Sequence, residues 1–152
     1  MSNKIELKEV KEQPVLSIRK TTSMENLKNE LGLAYQALFQ YLGELGEPPA
    51  DAPFAGYFNM DMQALDVEMG VPVAKALPGK GEIKAGSIPA GKQVHCVFKG
   101  SYAQLEPVYA EINQWMSENG CVPTGEVYEF YLKSPADVPE DELETRIVFP
   151  VK

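Results

Sequence analysis

The stretch KQVHCVFKGSYAQLEPVYAEINQWMSENG, residues 92–120, decides the fold. Its first eight residues, Lys92–Lys99, carry Val94, Cys96 and Phe98 at alternate positions, the period of a strand. From Leu105 the period lengthens: Leu105, Val108, Tyr109, Ile112, Trp115 and Met116 fall on one stripe of a helix. Ser101-Tyr102-Ala103-Gln104 has the residue types of a capping box, and Gly120 ends the helix. Pro107 removes one helical hydrogen bond, which predicts either a kink or a later helix start. Two further strands, 125–132 and 143–151, complete a strand-helix-strand-strand order.

The same order occurs once before. Residues 5–20 read as a strand ending in Val15, Leu16 and Ile18. Thr22-Ser23-Met24-Glu25 reads as a capping box with its hydroxyl at Thr22. Leu27, Leu31, Ala34, Tyr35, Leu38, Leu42 and Leu45 make the stripe, and Gly46 with Pro48-Pro49 stops it. Strand-like runs at 53–60 and 64–73 follow. An offset of 78 residues carries Ser23 onto Ser101, Leu27 onto Leu105 and Pro72-Val73 onto Pro150-Val151. The expectation is one domain of α+β class: two pseudo-repeats, 5–73 and 92–151, joined by a Gly- and Lys-rich linker at 74–91. Together they form one antiparallel sheet of about eight strands with two helices.

The 152 residues, 44% hydrophobic and 24% charged, suit one globular domain. A net charge of −8 argues against direct nucleic-acid binding, which needs a basic face to neutralise phosphates. No apolar run approaches a membrane span, and the first residues lack a signal peptide's apolar stretch, so the expected setting is cytoplasmic. Cys96 and Cys121 are then reduced, small, buried residues. A single histidine, His95, makes a zinc site or a Ser-His-Asp triad improbable, and no cofactor is expected. Charge is segregated. Residues 41–70 hold six acids and no base, and residues 75–99 hold five lysines and one acid. This reads as solvated surface, or as an acidic field drawing cations to a nearby cleft.

The chemistry points to the strand Glu126–Leu132. One of its faces carries Tyr128, Phe130 and Leu132, and the other Val127, Glu129 and Tyr131. A carboxylate in so apolar a strand is either solvated or held in a cleft, where burial would raise its pKa. Pairing Tyr57 with Tyr131 sets Ala55 where Glu129 stands, at the cost of a four-residue gap against the 78-residue offset. Both repeats then offer a tyrosine, the second alone offers an acid, and small Ala55 leaves room for a ligand. Aromatic faces and one carboxylate suit a cationic, partly apolar molecule. Glu68 lies with Asp66 on the polar face of its strand, either solvated or a second pocket acid. Trp115 is core or ligand platform. Arg146, between Thr145 and Ile147, would neutralise an acid across the sheet.

These residues carry a resemblance. Phe98-Lys99-Gly100-Ser101-Tyr102, Trp115 and Gly120, and Asp66–Val73 resemble the GyrI-like small-molecule-binding family in order and spacing. So do Tyr128-Glu129-Phe130-Tyr131 with Ser134-Pro135, and Thr145–Val151. The likeness covers roughly residues 10–151. It implies the duplicated module and a groove between the halves for lipophilic, often cationic compounds. Glu129 matches the family's acid and Tyr131 its neighbouring aromatic; Tyr57, Glu68 and Trp115 carry over as further ligand-binding residues. The family also serves as the effector-binding domain of multidrug-responsive transcription activators. Here both helices belong to the repeats, which leaves no helix-turn-helix and implies a stand-alone member. Three functions follow: a small-molecule-binding module with Glu129 as counter-charge; a hydrolase of electrophilic compounds with Glu129 as general base; or a protein-interaction module, since the family's namesake acts on DNA gyrase.

Overall fold

The structure, a computed structural model, describes residues 4–59, 61, 63–133 and 138–152. Met60 at the end of one expected strand, and the Ser134-Pro135 motif, lie outside the described residues. In chain order the elements are β1 (Ile5–Val10), β2 (Gln13–Thr22), α1 (Met24–Leu45), β3 (Phe54–Tyr57), β4 (Leu65–Pro72), β5 (Lys84–Ile88), β6 (Gly91–Lys99), α2 (Leu105–Glu118), β7 (Val127–Lys133) and β8 (Glu144–Pro150). Eight strands, antiparallel in the pairings given below, and two long helices among the described residues make the expected α+β fold.

The chain forms two compact units. One is Lys11–Ala90; the other is Gly91–Lys152 together with β1. In the first, β4 lies between β3 and β2, and β5 adds to the far side of β2. In the second, β8 lies between β7 and β6, and β1 adds to the far side of β6. The repeat is therefore β2-α1-β3-β4 against β6-α2-β7-β8, and the register holds it to the residue. Ile18 stands opposite Met69, and Cys96 opposite Ile147, the 78-residue offset in both strands. Ala55 stands opposite Met69, as Glu129 stands opposite Ile147. Tyr57 faces Val67, as Tyr131 faces Thr145. The gapped pairing of Ala55 with Glu129 and of Tyr57 with Tyr131 is the structural one.

Several boundaries differ from the sequence reading. Residues 5–20 are two strands, broken at Lys11-Glu12, and β1 pairs with β6 rather than within the first repeat. Alternation reveals a strand but not its neighbour, so the pattern assigned β1 to the wrong repeat. The linker 74–91 contains β5, whose register partner for Val15 is Gly86. Four of its five residues are exposed, so it shows no apolar alternation. Its approach is tied to α1 by the Tyr41 hydroxyl donating to Pro78 O at 2.7 Å, and by Lys80–Glu44 and Lys75–Glu47 at 3.4 and 3.2 Å. The acidic and lysine-rich stretches thus meet in part as exposed local pairs, each worth little.

The helix ends follow from their residues. The α1 cap is Ser23, one residue after the expected Thr22: its Oγ accepts from the Asn26 N–H at 3.1 Å. Before α2, Tyr102–Gln104 form a 3-10 turn and Ser101 makes no side-chain cap. The later start puts Pro107 in the first helical turn, where its missing N–H breaks nothing. Gly120, at φ 70, turns the chain out, and the Cys121 N–H returns to Met116 O at 2.9 Å. The core of this unit joins Leu105, Val108, Ile112 and Met116 of α2 to Val94, Cys96, Ile147 and Phe149 of the sheet. Each fully buried aliphatic there contributes about 1.5–3 kcal/mol.

Candidate functional site

Strand β7 places Glu129 on the same face as Val127 and Tyr131, and α2 covers that face. Val127 packs against the α2 core, and the Tyr109 hydroxyl reaches the carboxyl. Glu129 is only 9% exposed. Tyr131 donates to its Oε1 at 2.9 Å, and Tyr109 donates to its Oε2. A third tyrosine, Tyr102 of the 3-10 turn, sets its ring edge-on to Tyr131 at 5.9 Å and 71°. Tyr109 makes a similar edge contact with Phe149 at 5.8 Å.

The turn that delivers Tyr102 depends on Gly100. Its φ is 150°, and a Cβ there would fall 2.8 Å from the Phe98 ring. Its N–H is fixed to Leu143 O at 2.8 Å. Directly across from Tyr131 lies Thr145, fully buried, whose Oγ1 has no hydrogen-bond partner among the described residues.

Burial pushes the Glu129 carboxyl above its ordinary value, and the two phenol donors pull it part of the way back. No Lys, Arg or His pairs with it among the described residues. Burial, and then the Glu129 charge, push the Tyr102 phenol upward. The site is therefore an acid kept from water and held by phenols, with no counter-charge among the described residues.

Of the sequence candidates, Glu129 and Tyr131 meet. Tyr109 and Tyr102 were missed as site residues, because Tyr109 reads as core stripe and Tyr102 as part of a cap. Their seven-residue spacing, two helical turns, was the signal available. Trp115 is half-buried and packs against the α2 core. Tyr57 and Glu68 belong to the Lys11–Ala90 unit. Tyr57 is half-buried at the end of β3. Glu68 is half-buried and accepts from Ser17 Oγ at 2.6 Å. Its repeat equivalent is Arg146, whose guanidinium lies 4.5 Å from the Phe130 ring centre, so a ring rather than only an acid receives that charge. The room expected at Ala55 is filled, for Ala55 is 0% exposed.

His95 Nε2 lies 2.8 Å from Gln93 Oε1, and burial, with help from Lys8 and Arg146, pushes its pKa down to about 4. It is neutral at neutral pH. Among the described residues no three His, Cys, Asp or Glu side chains gather as a metal site requires. A separate open depression of about 330 Å³ is lined by Met116, Gly120, Cys121 and Val122, among others; neither Glu129 nor its tyrosines line it.

Two copies of one antiparallel module, one of them bearing an enclosed acid among phenols, define a duplicated α+β domain. The chain belongs to the GyrI-like small molecule binding domain family, whose pattern matches residues 3–152. No protein of curated function matches it. Among solved structures it is similar to EcmrR in a DNA complex, at 26% identity and TM-score 0.85, covering 100% of this chain and 58% of that one. The chain thus spans little more than half of that protein. The EcmrR C-terminal domain alone is 24% identical with TM-score 0.75, covering 100% and 99% of the two chains. A hydrolase from Listeria innocua is similar at 17% identity and TM-score 0.75, covering 99% and 93%. SAV2435 bound to tetraphenylphosphonium is 11% identical with TM-score 0.66, covering 98% and 94%. No helix among the described residues is long and apolar enough to cross a membrane.

Proposed function

We propose that the protein binds a small lipophilic cation, with Glu129 as counter-charge and Tyr131, Tyr109 and Tyr102 packing the apolar body. The observation that carries this reading is a nine-tenths buried carboxyl with phenol partners and, among the described residues, no cationic one. Such a group is costly to hold ionised unless a positive charge arrives, and the tyrosine faces attract that charge. The Thr145 hydroxyl opposite Tyr131 has no hydrogen-bond partner among the described residues, which leaves a polar group beside the proposed site unused. The tetraphenylphosphonium bound to SAV2435, a protein of the same fold, is a cation of this kind. A panel of lipophilic cations and size-matched neutral compounds tests the reading by thermal shift. Cations should raise the melting temperature of the wild type, neutral analogues less, and Glu129→Gln should remove the difference. Equal shifts for both classes would reject it.

A second reading is hydrolysis. A carboxyl of raised proton affinity flanked by phenol donors also suits a general base beside a hydrogen-bond donor, and one protein of this fold is described as a hydrolase. Turnover of electrophilic small molecules, lost in Glu129→Gln, supports it; binding without product counts against it.

A further inference from the structure

We propose that a bound cation enters the Glu129 site in exchange for a proton. The inference rests on the cation-binding reading and adds to it a stoichiometry and a pH dependence. Below its titration midpoint the free protein holds the carboxyl protonated, between the hydroxyls of Tyr109 and Tyr131. When a cation enters, the O–H bond of Glu129 breaks, the proton leaves to water or buffer, and the carboxylate forms beside the incoming charge. One positive charge arrives and one departs, so a site with little access to water carries no net charge in either state.

Within its own unit, the groups around Glu129 are apolar or neutral; the Tyr109 and Tyr131 donors oppose the effect of burial without cancelling it. On β7 it is flanked by Val127 and Tyr131. From α2 it meets Tyr109, and the 3-10 turn brings Tyr102 near. On β8 it faces Ile147, with Thr145 next on that face. Beyond Ile147 on β6 lies Cys96, whose thiol burial pushes up to about 11. Among the described residues, no Lys, Arg or His in this set compensates a negative charge, and no Asp or Glu adds to it. The phenols are neutral donors, and Tyr102 is driven further from ionising. Burial acts on the carboxyl in the same direction.

The test uses the full chain and tetraphenylphosphonium. First, the Glu129 side-chain carbon is titrated by NMR in the free protein. A midpoint well above the ordinary value of about 4.3 is expected. A midpoint at or below that value overturns the exchange even if cations bind. Second, calorimetry in phosphate and in Tris counts protons. Below the midpoint, one proton is released per cation bound and affinity rises about tenfold per pH unit; above it, both effects vanish. Glu129→Gln, which has no proton to lose, should show neither effect. Binding with pH-independent affinity and no proton release overturns the exchange while leaving the cation-binding reading intact. Absence of binding at every pH overturns both.

Discussion

Replacing Glu129 by glutamine should make the protein more stable, and increasingly so as pH rises. The carboxyl is nine-tenths buried, and burial is the largest influence on its proton affinity, raising it. In the unfolded chain it titrates near its ordinary value of about 4.3. Between that pH and its higher folded value, the native state keeps a proton that the unfolded state has lost. Stability therefore falls as pH rises through this window and levels off above it. Each pKa unit of elevation costs the ionised native state about 1.4 kcal/mol. For a chain of this length that corresponds to about 3–5 °C of melting temperature per unit. Glutamine keeps the shape, accepts from one phenol and donates to the other, and has no ionisation cost. Thermal unfolding of both proteins from pH 4 to 9 should give melting temperatures whose difference is smallest at pH 4 and grows in favour of the variant to a plateau. A difference that stays flat, or moves the other way, would refute the reasoning.

Tyr109→Phe removes a donor that lowers the Glu129 pKa, so the NMR midpoint should move further up, and urea unfolding should show a loss of about 0.5–1.5 kcal/mol. Two glycines, one inside a helix and one just past a helix end, should respond in opposite ways. Gly32→Ala, inside α1 with open space where a Cβ would stand, should stabilise by about 0.5–1 kcal/mol. Gly120→Ala, at φ 70, should destabilise by about 1–2 kcal/mol in the same assay. Thiol titration of the native protein should find Cys121, half-buried, reacting first. Cys96, with its thiol near 11, should become available only in denaturant.

The repeat was legible because each of its elements buries one face. The stripe of α2 and the alternation of β4 and β6 are direct records of that burial, and the 78-residue offset survives in the register of Ile18 with Met69 and of Cys96 with Ile147. Strand β5 was invisible because it buries only Ile88, and its place depends on backbone pairing, to which Gly86 contributes as well as any residue. The place of β1 was hidden for another reason: its local pattern is a strand's, but its partner lies about 90 residues away. At the site, Glu129 stood out as a charge in an apolar run, and Tyr131 followed from alternation. Tyr109 did not, since a tyrosine on a buried stripe looks the same whether its hydroxyl meets water or a carboxyl. Ala55 misled because a small side chain marks space only where nothing packs over it.

Calorimetric titration of tetraphenylphosphonium into the wild type and into Glu129→Gln at pH 8 bears most directly on the role of this acid. The wild type should bind, and the variant should bind at least about tenfold more weakly, since on the proposed reading the cation loses the desolvated carboxylate that pairs with it. Equal affinity in the two proteins would contradict the account.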